Sequence, residues 1–180
     1  MSIWEHVSRV GRGCGERRSV RVAALCLCVG APRTVLQSAI DPLSGRWILN
    51  VARTHYGGGA EARERETFDC ARLGSVVNCR IESVRAGGRR IVGGFSAAYD
   101  GPPGPTRGIP DVDQVRLTKV SASIADATFS FQGRAVFAYR AVRSTNGRSL
   151  TIISVAPDSR AVLHSVVVYD QREGGVNLPR

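Results

Sequence analysis

The stretch VRLTKVSASIADATFSFQGRAVFAYRAVRSTNGRSLTIISV, residues 115–155, decides the fold. It holds runs rich in Val, Ile, Phe and Thr at 115–120, 124–131, 135–143 and 149–155, separated by Ser121–Ser123, Gln132-Gly133 and Asn146-Gly147. Runs of this length bounded by Gly, Asn or Ser read as strands joined by tight turns. Asn-Gly between apolar runs is the strongest short hairpin signal. The same rhythm extends from Gly45 to Asp170. Upstream it predicts strands over 46–51, 64–73, 76–83 and 90–99, and downstream one over 162–170 after a turn at Asp158-Ser159. In the first, Trp47, Leu49 and Val51 share a face; in the fourth, Ile91, Phe95 and Tyr99 do, and Gly93-Gly94 marks a bend or bulge. Two connections are longer: a Gly-rich loop over 54–62 and a Pro-rich loop over 100–112. The sum is an all-β chain, an antiparallel meander of about eight to nine strands. Closing such a sheet into a barrel removes its exposed edges, and a sandwich is the alternative outcome. The runs 149–155 and 162–169 are apolar on both faces, which suits a barrel wall or tight sandwich packing.

At 180 residues the chain fits one domain plus a leader. Residues 1–39 read as that leader, 40–172 as the β domain and 173–180 as a loose tail. A basic region ending in Arg17-Arg18-Ser19-Val20-Arg21 precedes the apolar run Val22-Ala-Ala-Leu-Cys-Leu-Cys-Val-Gly-Ala31, too short to span a bilayer. That order matches an export signal, with an uncleaved anchor or a disordered arm as alternatives. The expectation is an exported protein, periplasmic or extracellular, with no transmembrane span in the mature chain.

Cysteine placement agrees with export. Cys14, Cys26 and Cys28 fall in the leader, leaving Cys70 and Cys79 in the body. Counting outward from a two-residue turn at Gly74-Ser75 pairs 73 with 76, 72 with 77, 71 with 78 and 70 with 79. The last pair is non-hydrogen-bonded by alternation, close enough for a disulfide. The other reading is two unrelated buried thiols. No His or further Cys stands at zinc-ligand spacing, and no metal or cofactor is expected.

The formal charge is +10, carried by arginine almost alone, since Lys119 is the only lysine. Arg53, Arg63, Arg80, Arg107, Arg116, Arg134 and Arg148 are scattered singly along polar faces and turns. A nucleic-acid binder would cluster such charge beside aromatic residues, so a solvated basic surface is the expectation and no specific nucleic-acid partner.

Three blocks carry a resemblance. Leu43-Ser-Gly-Arg-Trp-Ile-Leu-Asn-Val-Ala52, then Tyr99-Asp-Gly-Pro-Pro-Gly-Pro-Thr-Arg-Gly108 with Asp113-Gln-Val-Arg-Leu-Thr-Lys119, and Val142-Arg-Ser-Thr-Asn-Gly-Arg-Ser-Leu-Thr151 occur in this order, with Tyr169-Asp170 closing the last strand. Together they resemble a bacterial family of small exported proteins with a lipocalin-like β-barrel, largely uncharacterised. The Cys70/Cys79 pair and Asn146, where Asp is usual, depart from that pattern. The resemblance implies a lipocalin-like barrel and export, and supplies no catalytic residues.

Chemistry-bearing residues are few. His55 lies in the Gly-rich loop, His164 in the last strand and His6 in the leader; none belongs to a nucleophile elbow, a zinc helix or a P-loop. His164 reads as structural or at the rim. Asp111 and Asp113 flank Val112, where turn chemistry explains them better than a cation site. Gly57–Gly59 reads as a flexible connector. Trp47 and Tyr99 read as packing anchors before cavity-mouth residues. The expected function is non-enzymatic: an exported barrel binding a small apolar or amphipathic ligand. The alternative is a cell-envelope interaction or structural module using its basic outer face.

Overall fold

The computed structural model describes residues 41–57, 60–155 and 163–172, and side chains within these except at 155, 163 and 164. The expected leader, the Asp158-Ser159 turn and the tail lie outside the described residues, as do Gly58 and Gly59. Eleven strands run in chain order: β1 (Gly45–Leu49), β2 (His55–Tyr56), β3 (Arg63–Leu73), β4 (Val76–Arg85), β5 (Arg90–Ala98), β6 (Gly104–Arg107), β7 (Gln114–Lys119), β8 (Ile124–Phe131), β9 (Arg134–Arg143), β10 (Ser149–Val155) and β11 (Leu163–Gln171). From β3 to β11 each pairs antiparallel with the next, and β1 pairs with both β3 and β11. The result is a closed antiparallel barrel of ten strands, with β2 continuing the place of β1 along β11. Closure leaves no long unpaired edge among the described residues.

The hairpin at Gly74-Ser75 has the expected register. Leu73 faces Val76 and Cys70 faces Cys79, joined by a disulfide with Cα atoms 4.2 Å apart. Three expectations need correction. The first strand stops at Leu49: Asn50 caps a 3-10 turn over Val51–Arg53, accepting from the Arg53 N–H, so Val51 is exposed and does not share the inward face of Trp47 and Leu49. His55 then leaves the expected loop to pair with Val166 in β11. Second, the Pro-rich segment contains β6. Its Thr106-Arg107 end pairs with β5 and its Gly104-Pro105 end with β7. A proline is tolerated in a strand this short, and Gly104 is required there, because a Cβ would sit 2.0 Å from the Ser96 carbonyl. Third, the β4–β5 register runs unbroken through Gly93 and Gly94. Those glycines mark close backbone approach instead of a bulge; a Cβ on Gly94 would lie 2.3 Å from the Cys79 carbonyl.

The inward faces are packed at one end. Leu43, Trp47 and Leu150 are fully buried there, in one core cluster with Leu117, Ala125, Ala127 and Ala141. Residues 41–44 close this end. Trp47 Nε1 donates to the Leu43 carbonyl (2.7 Å), and Tyr99 donates to Asp41 (3.1 Å). The Arg143 guanidinium lies 5.1 Å over the Trp47 ring while donating to the carbonyls of Asp41 and Ser44. Trp47 and Tyr99 are therefore packing anchors at the closed end. β11 is buried on both faces at Val167, Val168 and Tyr169, as its two-sided apolar pattern implies.

Candidate functional site

The inward phase of several strands turns polar toward the other end. Along β4 it runs Val77, Cys79, Ile81, Ser83, Arg85; along β10 it runs Leu150, Ile152, Ser154; along β11 it runs Tyr169, Val167, Ser165. Three register shifts lie at this end, in β3 between Arg63 and Arg65, in β8–β9 at Phe129/Ser130 and in β10–β11 at Ser154/Val155. Bulges collect at barrel rims and re-aim side chains.

The β3 bulge has a chemical consequence. Residues i and i+3 of a regular strand point to opposite faces, yet Arg63 and Glu66 meet inside the barrel because the extra residue shifts the phase. Arg63 donates to Glu66 Oε1 (2.8 Å) and to the Tyr169 hydroxyl (3.0 Å), and Tyr169 donates to the same Glu66 oxygen. Glu66 is 4 % exposed at its side chain and Arg63 21 %. Burial opposes the Arg63 charge, but the neighbouring Tyr169 and Glu66 outweigh it and raise its pKa. Burial first, and then Glu66, push the Tyr169 phenol well above its ordinary value. The expectation of Arg63 as a solvated surface charge is thus corrected: it is an interior ion pair.

Beside this network is a cavity of about 120 Å³, walled by Phe68, Ile81, Phe129, Phe137 and Ile152 on its apolar side. Glu66, Ser83, Arg85, Tyr139 and Tyr169 supply its polar side. It shares Arg63, Arg85, Ile91, Ile109 and Phe137 with an outer mouth of about 470 Å³ reaching Tyr56, Arg89 and Asp111. Five buried polar atoms on these walls have no partner among the described residues: Tyr56 OH, Arg63 Nε, Ser83 Oγ, Arg85 Nε and Tyr139 OH. Burial raises the Tyr139 phenol above its ordinary pKa. A buried polar group left without any partner, water included, costs about 1–3 kcal/mol.

His55 is exposed on β2, and the His164 side chain lies outside the described residues. Asp113 accepts from the Gln132 N–H (2.9 Å) and ties the β6–β7 loop to the β8–β9 turn. Asp111, at φ 55°, is exposed at the mouth. The residues that form the cavity's polar wall were not singled out by motif. Their signal is the phase: Glu66 alternates with Phe68 and Cys70, and Ser83 and Arg85 with Ile81 and Cys79. Among the described residues, no helix is long and apolar enough to cross a membrane. Compared with models of known protein families and with curated proteins, the chain matches none.

Proposed function

We propose that the protein is an exported, non-catalytic binder that holds a small amphipathic ligand in the open half of its barrel. One observation carries this: a partly apolar cavity, continuous with a wide mouth, whose polar wall keeps buried groups without partners among the described residues. A dry apolar cavity near 150 Å³ admits a ring the size of benzene. The inner space here suits a short chain or ring, and the mouth the remainder. The Glu66 carboxylate is committed to Arg63 and Tyr169 instead of standing free as a base. The lipocalin-like resemblance of the blocks at 43–52, 99–119 and 142–151, and the signal-like residues 1–39, support export. The envelope-module alternative rests on Arg107, Arg116 and Arg134, exposed and without ion-pair partners among the described residues.

Native mass spectrometry of the protein recovered from its producing cells, before and after denaturation, tests the reading. A co-purifying small molecule released on denaturation is the expected result. A bare protein that instead binds anionic envelope polymers in a salt-sensitive way would move the assignment to the alternative.

A further inference from the structure

The β3–β4 register sets Arg63 directly opposite Arg85, and both line the inner cavity. Like charges facing across a strand pair repel. Arg63 is compensated by Glu66, but Arg85 makes no ion pair and no side-chain hydrogen bond among the described residues. Burial, and after it the Arg63 charge, lower the Arg85 pKa. Glu66 and Glu61 offset this only in part, because each makes its ion pair with another arginine, Glu66 with Arg63 and Glu61 with Arg89, while Asp111 is exposed and unpaired with any arginine among the described residues. Two hydroxyls without partners among the described residues, Ser83 at 1 % exposure and Tyr139 at 8 %, line the same cavity. Ile91, Ile109 and Phe137 give it apolar wall.

We propose that the ligand is an organic monoanion, a carboxylate on a short apolar body, whose head is bound by Arg85 with the Ser83 and Tyr139 hydroxyls in reach of its oxygens. This rests on the reading of the barrel as a ligand binder. One guanidinium without an ion-pair partner among the described residues calls for one negative charge; a dianion would bring excess charge beside Glu66. A planar carboxylate also matches the guanidinium fork.

The test is calorimetric titration of the full chain with octanoate, 1-octanol and octylamine, repeated on Arg85→Met and on Arg116→Met, the latter an exposed arginine of β7 away from the cavity. Octanoate is expected to bind about tenfold to a hundredfold more tightly than 1-octanol, with octylamine weakest. Arg85→Met should erase that advantage and leave 1-octanol binding, which also reports an intact pocket; Arg116→Met should change neither. Equal affinity for octanoate and 1-octanol, or equal losses in both variants, overturns the anion inference while leaving the ligand-binding reading standing. Failure of all three probes to bind overturns both.

Discussion

Replacing Glu66 by Gln should cost the fold about 2 kcal/mol, more than a single charge change on most of this surface. Glu66 is the one carboxylate in contact with Arg63 among the described residues, and its side chain is almost wholly buried. Breaking a fully buried ion pair by removing one partner costs about 3–5 kcal/mol, chiefly because the other charge stays buried alone. Two features lower the figure here: the Arg63 side chain keeps 21 % exposure, and Gln retains an oxygen for the Tyr169 hydroxyl. For a domain of this size about 2 kcal/mol corresponds to a fall in Tm of roughly 6–10 °C. Urea is the denaturant of choice, because guanidinium chloride would screen the ion pair being measured. The cycle is completed with Arg63→Met and the double variant. A coupling energy of about 2 kcal/mol is expected, with the double variant recovering much of the stability lost by Glu66→Gln alone. Additivity within about 0.5 kcal/mol would refute the interior ion pair.

Three other outcomes are expected. Removing the Cys70–Cys79 disulfide, whose partners are nine residues apart, should cost about 2–3 kcal/mol by the loop-entropy relation; a loss below about 1 kcal/mol in urea would show that the hairpin does not need it. Burial holds the phenols of Tyr139 and Tyr169 above their ordinary pKa near 10, so the unfolded chain releases these protons at lower pH than the folded one. The stability they confer is complete below about pH 10 and lost as pH rises through their folded values. Phenolate absorbance from these two should therefore rise together with unfolding; ionisation near pH 10 with the barrel intact would contradict their burial. Gly87 and Gly108 both adopt positive φ (85° and 64°), but a Cβ at Gly87 meets nothing within 4 Å, whereas at Gly108 it would lie 2.2 Å from the Val92 carbonyl. Gly87→Ala should cost about 1 kcal/mol and Gly108→Ala at least 1 kcal/mol more; equal losses in thermal melts would refute the tight β5–loop approach.

Much of the barrel was legible because its strands obey local rules. The hairpin register followed from the Gly74-Ser75 turn and two cysteines equally spaced from it, and the β8–β9 and β9–β10 connections from Gln132-Gly133 and Asn146-Gly147. β6 was illegible: Gly104 and Pro105 are residues depleted in strands, and the pairing is dictated by how closely β5 and β7 approach. The early end of β1 depends on the Asn50 side chain capping its own turn, a local hydrogen bond that competes with strand continuation. The site was half legible. Glu66, Ser83 and Arg85 sit in the same phase as buried apolar neighbours, which marks them as inward-facing. Arg63 does not: strict alternation from Glu66 points Glu64 inward, and only the bulge reverses the two.

The most direct test of a ligand-holding interior is an NMR titration of the full chain, labelled at isoleucine methyl groups, with 1-octanol. Ile81, Ile91, Ile109 and Ile152 line the cavity, while Ile48, Ile124 and Ile153 do not. Saturable shifts at the four cavity residues, with Ile48, Ile124 and Ile153 still, are the predicted result. Silent cavity methyls, or equal drift at these and at Ile48, Ile124 and Ile153, would contradict the account.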